Sequence, residues 1–176
     1  MQRGAASSNR SVSRFDKNTG VDFLIHACNQ LKRRLLVAGI GREEKRLKAI
    51  AGPTIVFFGR VLEADLPALY ANCRALLFAA NVDFAIVSVE AQSFWPSGDC
   101  LRPRRIVGDR PRGRPRRPLR HRDFFSEQTV ESVVDGIYRF EARENSFVPA
   151  EIQQHARQFD TSVFIDRMRT FINKRP

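Results

Sequence analysis

The chain has 176 residues, 43% of them hydrophobic, which is the size and apolar content of one folded domain and excludes a chain that is disordered throughout. Its formal charge of +11 points to phosphate-bearing partners, but residues 95–123 hold ten arginines against Asp99, Asp109 and Asp123, so +7 of that charge sits in one stretch. Three cysteines, Cys28, Cys73 and Cys100, share no metal-ligand spacing and speak against a disulfide framework or zinc site.

Residues 1–12 read as a disordered tail without the apolar core of a signal peptide. "VDFLIHACNQL" then places Phe23, Leu24, Ala27, Cys28 and Leu31 at helical spacing. Leu35, Leu36 and Val37 form a short apolar run ending in Gly39 and Gly41, as a buried parallel strand does when it turns into a helix. Arg42 to Ile50 is that helix, with Leu47 and Ile50 inward, stopped by Gly52-Pro53. "TIVFFG" predicts the next strand, Leu62 to Cys73 the next helix, "ALLFAA" a third strand and "VSVEAQSF" a third helix. Strand and helix alternate, which predicts an α/β fold with a parallel sheet.

Three helical stretches close the chain. Thr129 to Phe140 carries Val130, Val133, Val134 and Ile137 on one face with Thr129 as N-cap, and Pro149 to Phe159 starts with a first-turn proline. Thr161 to Ile172 follows, with Asp160 as its cap. No run approaches the length of a transmembrane helix, so the chain reads as cytoplasmic, at most peripheral to a membrane.

Between these patterned halves lies "SFWPSGDCLRPRRIVGDRPRGRPRRPLRHRDFF", residues 93–125, with ten arginines, five prolines and neither a strand nor a helix period. Like charges and prolines cannot bury enough apolar surface to offset chain entropy, so residues 97–122 are expected to be a mobile excursion that adds no strand to the sheet.

"LLVAGIGREEKRLKAIAGPTIVFFGRVLEADLPALYANCRALLFAANVDFAIVSVEAQSF" resembles the C-terminal, donor-binding half of the retaining GT-B glycosyltransferases of family 4, the group 1 glycosyl transferases. The family pattern is a strand ending in G-x-G, a strand ending in F-x-G-x-V, a helix ending in L-Y-x-x-[CA]-x-A, and then E-[DG]-F-G-[IL]-x-x-[VL]-E-A. The resemblance covers Ser13 to Ser93 and Phe124 to Asn173. It implies a Rossmann-like parallel sheet with flanking helices, interrupted by the Arg/Pro-rich segment.

The resemblance also implies a nucleotide-sugar substrate, with no cofactor and no metal. A diphosphate leaving group needs helix N-termini, glycine turns and cations around it. Arg14 falls where the family meets the diphosphate, with Lys17 near the second cation position, Gly39 and Gly41 at the first turn, and Gly59, Arg60 and Val61 at the loop that lines the base. Asp83, Phe84, Ala85 and Ile86 match the loop against the sugar, and Glu90 matches the carboxylate that meets the ribose. The family layout leans toward a GDP-sugar such as GDP-mannose.

Three positions depart from the pattern. The first Glu of the acidic pair is Val82, the motif Gly is Ala85, and the phosphate Lys position is Thr19, with Lys17 two residues early. The family's next motif, G-x-P-V-I-A-x-x-x-G-G-x-x-E-x-V, is replaced by "WPSGDCLRPRRIVGDR". Read one base later, the codons for that stretch admit Gly-Arg-Pro-Val-Ile-Ala-Tyr-Gly-Arg-Gly-Gly-Ser-Leu-Glu-Thr-Val, the missing motif in place. The expected organisation is therefore a tail over 1–12, a donor-binding domain over 13–94 and 124–176, and an out-of-frame insert over 95–123.

The leading reading is a hexosyltransferase donor domain, truncated, impaired and inactive by itself, with a separate N-terminal acceptor domain as partner. The alternative is an Arg-rich nucleic-acid-binding protein. Aromatics that would stack bases are missing inside the run, where Trp95 and Phe124 only flank it, so nucleic-acid binding is expected to be adventitious. A third reading is a fragment that docks onto an intact transferase.

Overall fold

The computed structural model describes residues 8–80, 86–94, 105–107, 127–146 and 148–173. Five parallel strands form one sheet in the order β3-β2-β1-β4-β5: β1 Asn9–Val12, β2 Leu35–Ala38, β3 Ile55–Gly59, β4 Ala75–Leu77 and β5 Arg105–Val107. Around them run α1 Val21–Leu31, α2 Glu44–Ala49, α3 Leu66–Ala71, α4 Ile86–Ser93, α5 Val130–Arg143, α6 Pro149–Arg157 and α7 Thr161–Asn173.

Apolar patterning explains most of this. β2 is buried at all four residues, as a strand covered on both faces must be. On one face Leu24, Ala27 and Cys28 of α1, Leu47 of α2 and Val133, Ile137 and Phe140 of α5 pack onto Leu35, Val37, Ile55, Ala75 and Leu77. On the other, Tyr70 of α3 meets Leu76 and Phe78, with Val87 and Ala91 of α4 against them. Thr129 caps α5, its hydroxyl oxygen accepting from the Ser132 N–H at 3.1 Å. Cys28 and Cys73 are small buried core residues, and burial pushes the Cys28 thiol up to about 12; Cys100 lies outside the described residues.

Two expectations are corrected. The tail over 1–12 ends in a strand: Asn9–Val12 pairs with β2 and β4 at the centre of the sheet, while residues 1–7 lie outside the described residues. The pattern was invisible because the strand is polar, with Ser8, Asn9, Arg10 and Ser11 buried. Burial of Arg10 is offset in part by its Nη1, which donates to the Leu69 carbonyl at 2.6 Å. The second correction is β5. The Arg/Pro-rich stretch was expected to add no strand, yet Arg105–Val107 pairs in parallel with β4 over Ala75–Leu77. Ile106 and Val107 are the stretch's one pair of adjacent β-branched residues, and they extend the sheet past what would otherwise be an edge. The rest of 95–126 lies outside the described residues.

Five strands follow a doubly wound path. From β1 the chain steps outward through β2 to β3, then crosses to β4 on the other side of β1 and on to β5. The winding reverses between β1 and β4, and in open parallel sheets ligands lie outside the carboxyl ends of the strands at such a reversal. α7 buries none of its residues and exposes Phe164, Ile165, Met168, Phe171 and Ile172.

Candidate nucleotide-sugar site

The residues singled out in sequence gather at the carboxyl edge of the sheet. Arg14 follows β1, Gly39 and Gly41 follow β2, Gly59 ends β3 with Arg60 and Val61 after it, and Ile86 opens α4 beyond β4. Val82, Asp83, Phe84 and Ala85 lie outside the described residues.

Backbone hydrogen bonds lace the first three loops together. The Ser13 N–H donates to the Ala38 carbonyl at 3.0 Å, the Phe15 N–H to the Ile40 carbonyl at 3.0 Å, and the Gly39 N–H to the Gly59 carbonyl at 2.8 Å. Gly39 and Gly41 owe their identity to this lacing. A Cβ on Gly39, at φ 148°, would sit 1.8 Å from the Ser13 carbonyl oxygen, and one on Gly41 2.5 Å from that of Phe15. These glycines therefore hold the loop that carries Arg14 close against the end of β2. Gly59 differs: at φ 68° it needs glycine for its backbone, but a Cβ there would meet nothing within 4 Å.

Arg14 exposes 85% of its side chain, and its Nε lies 3.3 Å from Asp16 Oδ2. Lys17 is exposed in the short 3-10 turn Lys17–Thr19 that leads into α1. At the expected lysine position, Thr19 is turned inward, its hydroxyl donating to the Asp16 carbonyl at 2.6 Å. Arg60 is exposed and Val61 half-buried beside it. Ile86 is exposed at the start of α4.

Glu90 stands one turn into α4, half-buried. The Tyr70 hydroxyl donates to its Oε2 at 3.3 Å, and burial together with the Glu90 charge pushes the Tyr70 hydroxyl well above its usual range. Tyr70 in turn stacks on Phe94, with centroids 6.0 Å apart. The Tyr of the L-Y motif thus orients the Glu of the E-A motif, a pairing the sequence does not reveal. No hydrogen bond joins Arg14, Arg60 and Glu90 to one another among the described residues. Among those residues no group of His, Cys, Asp and Glu could hold a metal ion, and no helix is long and apolar enough to cross a membrane.

Sequence reasoning missed Gln128. Its side-chain amide donates to the Ala79 carbonyl at 2.7 Å and to the Asn18 carbonyl at 3.4 Å, joining the end of β4 to the turn before α1. An isolated glutamine ahead of a helix carries no signal of such a role.

Comparison with known proteins bears on the family and the fold. Residues 11–94 match the family described as glycosyl transferases group 1. Among solved structures, the pneumococcal O-GlcNAc transferase GtfA in complex with UDP and GlcNAc superposes with a TM-score of 0.68 at 18% identity, over 97% of this chain and 36% of that one. Anabaena Alr3699/HepE in complex with UDP gives 0.75 at 17% identity, over 97% and 50%. A UDP-forming trehalose-phosphate synthase from Burkholderia xenovorans gives 0.64 at 15%, over 97% and 45%. No curated protein sequence matches the chain. This chain spans between about a third and a half of these structures, and at such identities the likeness is one of fold. Residues 11–94 are thus similar in sequence to the glycosyl transferases of group 1, and the doubly wound sheet has the fold of these glycosyltransferase structures.

Proposed function

We propose that the chain is the donor-binding half of a hexosyltransferase, with a nucleotide sugar lying outside the carboxyl ends of β1 and β4. The observation that carries the proposal is the strand order, which reverses between β1 and β4, so that the Arg14 loop and Ala79 leave the sheet on either side of the reversal. Arg14 and Lys17 supply positive charge for a diphosphate, Gly59, Arg60 and Val61 line the base, and Glu90 accepts from ribose hydroxyls while Tyr70 holds its carboxylate. GtfA was solved with UDP, and Alr3699/HepE with UDP and with UDP-glucose, so UDP takes precedence over the GDP donor expected from the family layout.

Val82 in place of the sugar-facing Glu, Thr19 in place of the phosphate Lys and the altered segment 95–123 each remove part of the donor site. Transfer also requires donor and acceptor to be held together, because orientation supplies a large part of the rate advantage. The 176 residues by themselves should bind UDP weakly and transfer no sugar. The test is calorimetry with UDP, GDP, UDP-glucose and GDP-mannose, beside a product assay with labelled donor. Turnover, or tight binding by wild type and Glu90→Gln alike, would overturn the reading. Val82→Glu with Thr19→Lys should strengthen donor binding.

A further inference from the structure

At the carboxyl edge, where β1 and β4 diverge, one side chain from a third element spans the gap. Gln128 lies two residues ahead of α5, next to the capping Thr129, so its backbone leaves a fixed helix start. Its Nε2 reaches the Ala79 carbonyl, just past β4, at 2.7 Å and the Asn18 carbonyl, in the turn between β1 and α1, at 3.4 Å. Gly20 closes the same junction from the other side. It holds φ 67°, and a Cβ there would stand 2.8 Å from the Ala79 carbonyl oxygen. The Ala79 carbonyl is thus enclosed between Gly20 and the Gln128 amide.

The chemistry of the group matters. A primary amide nitrogen carries two N–H donors, one for each carbonyl. A carboxylate of the same shape carries none and would set negative oxygen against two carbonyl oxygens. Lysine has three donors and comparable reach.

We propose that Gln128 is a positioning residue of the donor site: it clasps Ala79, just past β4, to the turn that carries Lys17, and so fixes how far apart the chain leaves the ends of β1 and β4. It acts through Ala79 and Asn18 and touches no reacting atom. The choice of ligand rests on the nucleotide-sugar reading; the clasp rests on its own geometry.

The experiment uses the full chain as wild type, Gln128→Glu and Gln128→Lys, with two readouts. Amide hydrogen exchange reports the clasp, and a UDP titration followed by NMR reports the site. Gln128→Glu should speed exchange about tenfold at Thr19–Leu24 and Phe78–Ala80, the order expected for losing one or two hydrogen bonds, and leave Leu36, Val37 and Val56 unchanged. It should weaken UDP binding by a similar factor, and Gln128→Lys should restore both. Unchanged exchange at the junction, or exchange raised equally through β2 and β3, overturns the clasp. A selective rise in exchange with UDP binding intact overturns the positioning role. A wild type that binds no UDP refutes the nucleotide-sugar reading instead, and the exchange readout then decides the clasp by itself.

Discussion

Arg74 is the centre of a charge network whose removal has a calculable cost. It precedes β4 and pairs with Glu144 through Nε at 3.0 Å and Nη2 at 2.6 Å, while its Nη1 lies 3.0 Å from Glu141. Glu141 also takes two bonds of 2.9 Å from Arg33, and the Arg74 guanidinium lies over the Phe140 ring. The network ties the end of α1 and the start of β4 to the last turn of α5, at the edge of the sheet away from the crevice. The side chains of Arg74 and Glu144 are only 18% and 13% exposed. Exposed ion pairs contribute about 0–1 kcal/mol and breaking a fully buried one costs about 3–5 kcal/mol, so Arg74→Met, which strands Glu144, should cost about 2–3 kcal/mol. For a chain of this length that lowers the unfolding midpoint by about 5–10 °C.

The same network sets a pH dependence. Burial raises the Glu141 carboxyl, but hydrogen bonds and charge from Arg33 and Arg74 more than offset it, and the net shift is downward from 4.5. A carboxyl whose folded value is depressed contributes its stability above the unfolded value and loses it as pH falls through the folded one. Wild type should therefore lose stability as pH drops below about 4.3, and Glu141→Gln should flatten that part of the curve. Thermal unfolding of wild type, Arg74→Met, Glu144→Gln and the double variant at pH 7 and across the acid range checks both points. An Arg74→Met chain within about 0.5 kcal/mol of wild type, or an unchanged acid limb in Glu141→Gln, would refute the reasoning.

Three further outcomes are expected. Gly39→Ala should fail to fold or lose several degrees of midpoint, because its Cβ meets the Ser13 carbonyl, whereas Gly59→Ala, strained only in its backbone, should cost about 1–2 kcal/mol by chemical denaturation. In the gene, the codons for Trp95 to Arg110 read one base later should spell the G-x-P-V-I-A pattern; stop codons there would sink the frameshift account. Any nucleic-acid affinity should fall steeply with salt, show no sequence preference and vanish when residues 102–122 are deleted, which electrophoretic mobility shifts at two salt concentrations can test.

Legibility followed apolar content. α1 and α5 were readable because Leu24, Ala27 and Cys28, and Val133 and Ile137, recur at helical spacing and face one core. β2 and β4 were readable as apolar runs. β1 was not, because its buried residues are Asn9, Arg10 and Ser11, whose side chains ordinarily mark loops. β5 was hidden by its setting: a strand of Arg105, Ile106 and Val107 has too few residues to raise a period above the surrounding arginines and prolines. The frameshift account and β5 also make different demands, since the shifted reading would put Val-Ile-Ala at residues 98–100 and the strand forms at Arg105–Val107, seven residues further on. At the site, glycines and Glu90 were visible through motif spacing. The bonds from Tyr70 to Glu90 and from Gln128 to the Ala79 and Asn18 carbonyls depend on contacts across elements and leave no local trace.

The polar character of β1 also bears on how the chain assembles. A central parallel strand normally enters its sheet by hydrophobic collapse, but Asn9–Val12 offers almost no apolar surface to drive that step. Its pairing partner β4 lies more than sixty residues away in sequence, so the loop must close before the ladder repays its entropy. The rate-limiting event should then be insertion of β1 between two preformed pairs, β3-β2 and β4-β5, with mutations in Asn9–Val12 slowing folding and those in α6 or α7 chiefly speeding unfolding. Until that strand arrives, β2 and β4 each present an open edge, the form in which a nascent chain of this kind is most exposed to pairing with its neighbours.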